Sequence, residues 1–320
     1  MNFNDDLIPI KGDASFRKFF RKKKNKKSTI IVYSGKDKKK NLLNYDAVNK
    51  ILLKKKISAP KLISESYNKN FIEIKDLGKK TLFDILKNKK KNNYKTYKKI
   101  LIFLNKLQKI KVKKIKNFKN KIYKIPKYKN SSLLKESNLF LEWYVPSVIN
   151  KKKKIKINNK IKNIIKALIK KIIYPNDIFV HRDFHVSNLM INKQTISIID
   201  SQDAVYGNIS YDLASLIDDV RFKTSNSFKQ NIYRYYLKIN KNKINFNKFK
   251  NDFDILSVLR NLKIIGIFTR LAKRDKKKQY LKLIPYCWEL VELRINNNII
   301  FKDLKNCLDK NFSKKIRKIK

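Results

Sequence analysis

Two histidines, an aspartate and an asparagine crowd into one short stretch of this 320-residue chain, His181-Arg-Asp-Phe-His-Val-Ser-Asn188, and the chain has no other histidine. Asp183 stands five residues before Asn188, and Asp200 closes an apolar run twelve residues after it. A carboxylate so placed can accept a proton from an attacking hydroxyl. An amide oxygen and a second carboxylate are hard donors suited to Mg²⁺. A base beside two such donors is most of what phosphoryl transfer asks of a protein, because the reaction needs positioning and charge more than covalent chemistry. Alone, Asp183 or Asn188 would more often cap a turn; the agreement of spacing, leading strand and strand-borne Asp200 favours the chemical reading. His181 reads as a buried structural residue. His185 either touches phosphate or packs inside the loop. With no second His/Cys/Asp cluster at metal spacing, a zinc site is not expected.

The elements around the loop must bring Asp200 back to Asn188. Ile178-Phe-Val reads as a buried strand leading in, and Leu189-Met-Ile with Ile196-Ser-Ile-Ile reads as the hairpin that delivers Asp200. Upstream, residues 16–21, 29–33, 61–66 and 71–74 have strand patterns. Residues 41–54 have helical spacing through Leu42, Leu43, Ala47, Val48, Ile51 and Leu52. A hinge is expected at Lys75-Asp-Leu-Gly78. Thr81 is placed to cap a helix through Leu86, and helices are predicted over 94–110, 160–173, 211–220, 227–238, 246–273 and 279–296, with a loop-rich connector over 111–129. The expectation is an α+β chain with a small β-rich lobe over 1–77 and a larger, mainly helical lobe over 78–320.

Composition narrows the class. The formal net charge is +55, yet the lysines spread over nearly every segment, and of 80 basic residues only ten are Arg, the residue nucleic-acid readers favour for bidentate contacts. A solvated lysine surface that attracts anionic ligands is therefore preferred to a specific nucleic-acid interface. A basic nucleic-acid-binding protein on the same scaffold is the competing class; it predicts binding that survives about 0.2 M salt, where counterion-driven adhesion collapses. No apolar run approaches the roughly 20 residues that span a bilayer, and the start Met1-Asn-Phe-Asn-Asp-Asp lacks signal-peptide form, so a cytoplasmic location is expected. Cys287 and Cys307 read as isolated thiols.

A protein kinase would add G-x-G-x-x-G, V-A-I-K, D-F-G and A-P-E, none of which is present. His181-Arg-Asp-Phe-His-Val-Ser-Asn-Leu, Ile199-Asp-Ser-Gln-Asp-Ala-Val-Tyr-Gly and Tyr211-Asp-Leu-Ala-Ser-Leu instead resemble the aminoglycoside phosphotransferase superfamily of small-molecule kinases. Gly12-Asp-Ala-Ser-Phe-Arg-Lys-Phe-Phe-Arg, Glu142-Trp143 and the stretch from Arg260 to Asp275 are most similar to its bacterial N-acetylmuramate/N-acetylglucosamine anomeric kinases, with similarity from about residue 10 to 295. The resemblance implies a bilobal protein-kinase-like fold, ATP and Mg²⁺ as cofactors, and phosphorylation of an amino sugar in cell-wall recycling; a choline, homoserine or aminoglycoside type of acceptor is the alternative. It implies Asp183 as base and Asn188 and Asp200 as metal ligands, with Gly12, Asp13, Ser15 and Arg17 over the nucleotide. Asp203, Glu142, Arg221, Arg260 and Arg270 are then candidate substrate contacts, and Asp212 is structural. One departure stands out: Thr29-Ile-Ile-Val-Tyr33 carries no strand lysine. Arg17, Arg21 or a nearby Lys is left to neutralise phosphate, and Asp46, or no residue, to replace the helix glutamate.

Overall fold

Alternation of apolar side chains explains the sheet. In a computed structural model, which describes residues 7–10, 17–24, 27–88, 93–192, 194–296 and 298–317, the strands β1 (Leu7–Ile10), β2 (Lys18–Lys24), β3 (Lys27–Tyr33), β4 (Leu62–Ser66) and β5 (Phe71–Lys75) form one antiparallel sheet in the order β1-β2-β3-β5-β4. Ile30 opposes Ile74 and Val32 opposes Ile72. The pleat sends all four to one face, where they are buried against Leu42 and Tyr45 of helix α1 (Lys40–Lys54).

The chain falls into two compact units, Met1–Pro126 with Ile178–Tyr206, and Lys127–Asp177 with Gly207–Lys320. The first holds the sheet and α1, then α2 (Leu82–Asn88), α3 (Asn93–Gln108) and the hairpin β6 (Lys114–Lys116) and β7 (Ile122–Lys124). Thr81 and Asp84 cap α2 reciprocally: the Asp84 N–H donates to Thr81 Oγ1 at 3.2 Å, and the Thr81 N–H to Asp84 Oδ2 at 2.9 Å. This unit also contains β8 (Ile178–Val180), the hairpin β9 (Leu189–Asn192) and β10 (Thr195–Ile198), and most of β11 (Val205–Gly207), which pairs with β8.

The second unit is mostly helical: α4 (Asn130–Leu139), a π-helical turn (Phe140–Tyr144), α5 (Val145–Val148), α6 (Lys151–Lys170), α7 (Tyr211–Ile217), α8 (Asn226–Ile239), α9 (Phe246–Lys273), α10 (Ile284–Ile295), α11 (Lys302–Asn311) and α12 (Lys314–Arg317). Helix α9 is buried on nearly every face, as a central helix must be. Gly266 lets it approach the end of α4; a Cβ there would lie 2.3 Å from the Leu139 carbonyl oxygen. The α+β class expected from the sequence is the one observed. No described helix is long and apolar enough to cross a membrane.

Candidate active site

The loop between β8 and β9 is built from the inside out. Phe184 is fully buried and stacks on Phe103 of α3 at 6.4 Å, which anchors the middle of the loop. His181 is also buried, and its Nε2 meets the Ile199 carbonyl at 3.0 Å, joining the start of the loop to the residue that leads from β10 into Asp200. Between these anchors Asp183 stays half-buried. Its carbonyl accepts from Asn188 Nδ2 at 2.9 Å and from the His185 N–H at 3.1 Å, so the five-residue spacing closes into a hydrogen-bonded turn. His185 is buried, with Nε2 3.4 Å from Asn188 Nδ2.

The hairpin does what its sequence predicts. Leu189 pairs with Ile198, and the Ile199 N–H donates to the Asn188 carbonyl at 3.1 Å, which sets Asp200 next to Asn188. Because Asn188 Nδ2 is committed to Asp183, the amide orientation is set and Oδ1 is its acceptor atom. Together with the Asp200 carboxylate this makes a pair of hard oxygen donors. Among the described residues there is no group of three or more His, Cys, Asp or Glu able to hold a metal by itself. One carboxylate and one amide fit Mg²⁺, which keeps several waters and phosphate oxygens as ligands, and do not fit zinc.

Two backbone positions at the site lie in the left-handed region, Arg182 with φ +77° and Asp200 with φ +65°. Non-glycine residues occupy that region at a cost and only where surroundings hold them. Arg182 Nη1 donates to the Asp203 carbonyl at 3.3 Å. Asp200 is held by Arg17, whose buried guanidinium donates to its carboxylate and to Gln202 Oε1 at 2.8 Å. That guanidinium lies 5.5 Å from the Phe19 ring centre and 5.2 Å from that of Tyr45. Arg21 instead pairs with Asp76 and donates to the Gly78 carbonyl at 2.9 Å. Burial pushes the Asp76 carboxyl up, but the bonds from Arg21, the Gly78 N–H and Ser28 outweigh it and hold it below the usual range. Gly78 itself adopts φ +108°, which favours glycine.

The expected substrate residues are divided between the two units. Asp203 is exposed in the first unit; its Oδ2 accepts from Gln202 Nε2 at 2.8 Å, and Tyr123 lies close by. Burial, with the Asp203 charge adding to it, pushes the Tyr123 hydroxyl up to about 12. Glu142, Arg221, Arg260 and Arg270 all lie in the second unit. Arg260 is buried, with Nη1 3.5 Å from the Asp218 carbonyl, and Arg221 lies over the Phe268 ring at 5.7 Å. Burial and the Arg274 charge push the Arg270 guanidinium down, with Asp275 and Glu142 opposing. Asp212 is fully buried in the first turn of α7, just inside the Ser210 cap position. Gly12, Asp13 and Ser15 lie outside the described residues.

The model of the phosphotransferase enzyme family, abbreviated APH, matches residues 6–246. The chain belongs to that family. Among its relatives, the N-acetylmuramate/N-acetylglucosamine kinase of Neisseria meningitidis is 28% identical over 285 residues, covering 88% of this chain and 83% of that one. The enzyme of the same name from Pseudomonas aeruginosa is 27% identical over 295 residues, covering 91% and 84%. Among solved structures, an APH(2'')-IIa complex with gentamicin superposes with a TM-score of 0.61 at 15% identity, covering 90% of this chain and 91% of that chain. A Plasmodium vivax ethanolamine kinase gives 0.60 at 15%, covering 94% and 85%. At such identity these two establish the fold, which is the protein-kinase-like one expected.

Sequence reasoning did not single out four residues that meet candidate site residues of this family member. Tyr45 and Asn49 lie one turn apart on α1, Gln202 bridges Arg17 and Asp203, and Tyr123 sits on a strand too short to read. Asp46, the acid on α1 that the sequence offers in place of a helix glutamate, is paired with Lys50 at 2.9 Å.

Proposed function

We propose that this chain is an ATP- and Mg²⁺-dependent small-molecule kinase that phosphorylates the anomeric hydroxyl of N-acetylmuramate, N-acetylglucosamine or both, in the recycling of cell-wall sugars. The observation that carries the reading is the closed turn in which Asn188 Nδ2 binds the Asp183 carbonyl while the Ile199 N–H binds the Asn188 carbonyl. This turn supports a base and two metal donors carried on hydrogen-bonded neighbouring backbone. The names of the two bacterial relatives support the acceptor.

In this reading Asp183 accepts the proton of the attacking hydroxyl. An anomeric hydroxyl is more acidic than an ordinary alcohol, so a carboxylate of ordinary basicity suffices. Asn188 Oδ1 and Asp200 would hold Mg²⁺, which supplies positive charge against the β- and γ-phosphates when bound. Residues 1–77, with Gly12, Asp13, Ser15 and Arg17, serve the nucleotide, and residues 78–320 carry the catalytic loop and the sugar contacts. Asp203 is suited to sugar hydroxyls. The arginines Arg221, Arg260 and Arg270 suit a lactyl carboxylate or the transferring phosphate, with Glu142 beside Arg270. A cytoplasmic setting follows from the substrate and nucleotide.

The test is product chemistry. Purified protein with ATP and either sugar should yield a phosphate that is stable to alkali and labile to acid. Turnover of choline, homoserine or an aminoglycoside in place of the sugars would remove the acceptor assignment and leave the kinase one.

A further inference from the structure

The metal-donor turn at Asp200 has to be held in a left-handed conformation by something, and the strand lysine and helix glutamate that pair in a protein kinase are not available to do it. The β3 segment Thr29–Tyr33 carries no lysine, and the one acidic side chain on α1, Asp46, is taken up by Lys50. What α1 presents instead is a polar pair four residues apart, on one side of the helix. Asn49 Oδ1 accepts from Ser201 Oγ at 2.7 Å, and both side chains are buried. The hydroxyl of Tyr45 lies close to the Asp200 backbone and the Asn49 side chain. The ring of Tyr45 lies against the Arg17 guanidinium that binds the Asp200 carboxylate. The Asp200 carboxylate and Ser201 are thus met from this side by Arg17 and Asn49, with the Tyr45 ring against Arg17.

We propose that Tyr45 and Asn49 are positioning residues for the metal-donor turn, coupling helix α1 to Asp200. This rests on the kinase reading and deepens it. Tyr45 suits the role because its ring packs on the Arg17 guanidinium without bringing a competing carboxylate to it. A glutamate there would compete with Asp200 for Arg17. The ring adds a cation–π contact that holds the guanidinium without taking its N–H donors.

The experiment is Mn²⁺ binding followed by electron paramagnetic resonance in the presence of ADP, with ADP binding in EDTA measured alongside. Tyr45→Phe keeps the ring and removes the hydroxyl beside Asp200; Asn49→Ala removes the bond to Ser201. Each is expected to weaken Mn²⁺ binding about fivefold, the effect of one hydrogen bond, while ADP binding without metal stays within twofold and circular dichroism is unchanged. Asn49→Ala combined with Ser201→Ala should lose no more than either alone. Asp46→Asn, on the same helix, should leave Mn²⁺ affinity within twofold. Wild-type Mn²⁺ binding that Tyr45→Phe and Asn49→Ala leave unaltered, or that Asp46→Asn weakens equally, overturns the inference alone. A wild-type protein with no ADP-dependent Mn²⁺ signal overturns the kinase reading, and this inference with it.

Discussion

Replacing Arg294 by Met tests the electrostatic account of the helical unit. Asp218 is fully buried at the end of α7, where Arg294 binds both carboxylate oxygens at 2.9 Å, Ser257 Oγ donates at 2.6 Å and Lys229 Nζ lies 3.7 Å away. Burial pushes the Asp218 carboxyl up; the charges of Arg294 and Lys229 and the bonds from Arg294 and Ser257 outweigh it and hold it below its ordinary value. Methionine keeps most of the stem and removes the charge, leaving a buried carboxylate with Lys229 as its one ion-pair partner and no bidentate donor. Breaking one side of a buried pair costs about 3–5 kcal/mol, and because Lys229 remains, about 3 kcal/mol is expected. At roughly 2–4 °C per kcal/mol for a large domain, the melting temperature should fall by about 6–12 °C at pH 7. The pH dependence carries the sign. In the wild type the folded carboxyl is depressed, so its contribution is complete above the unfolded value near 4 and is lost only as pH falls through the folded one. In the variant burial dominates and the folded carboxyl rises above the unfolded one. Protonation then favours the folded state, and the deficit should narrow from pH 7 to pH 5. Thermal melts of both proteins across pH 5–8 read this directly. Asp218→Asn added to Arg294→Met should recover much of the loss. A variant that melts within 2 °C of wild type at pH 7, or a deficit flat across the range, would refute the reasoning.

Two further outcomes follow from packing. Gly266→Ala drives a methyl into the Leu139–Phe140 backbone and should cost about 1–3 kcal/mol or more by overpacking, seen as a lowered melting temperature; an unchanged melt would mean α9 and α4 can part without cost. Cys287 is fully buried, and burial pushes its thiol well above the ordinary range. A thiol-specific colorimetric reagent should label it only at the rate of unfolding, and prompt labelling of the native protein would contradict its placement.

The parts of the fold legible in the sequence were those in which apolar residues repeat with a period. The strands β2, β3, β4 and β5, the hairpin β9–β10 and the long helix α9 all have such patterns. The β6–β7 hairpin does not: Lys114-Ile-Lys and Ile122-Tyr-Lys leave each strand mostly exposed. Helix α6 begins at Lys151, nine residues before its expected start, because a run of lysines looks like loop until Ile157, Ile161 and Ile165 are seen on its buried face. No helix was expected over α4, Asn130–Leu139, and Glu142-Trp143 lies in a π-helical turn that no periodicity announces. β1, β11, α11 and α12 were not anticipated. In the candidate site, Asp183, Asn188 and Asp200 were readable because rare residue types fall at a fixed spacing. Tyr45 and Asn49 were not, since a tyrosine and an asparagine on an amphipathic helix look like its solvent face until the Asp200 turn is seen against them.

The most direct test of the central claim is ATP consumption with N-acetylmuramate as acceptor, measured side by side for the wild type and Asp183→Asn. Wild-type turnover that falls about a thousandfold in the variant, with fold and nucleotide binding retained, is the predicted result, in the range a general base contributes. An Asp183→Asn protein that turns over like the wild type would contradict the assignment of this loop.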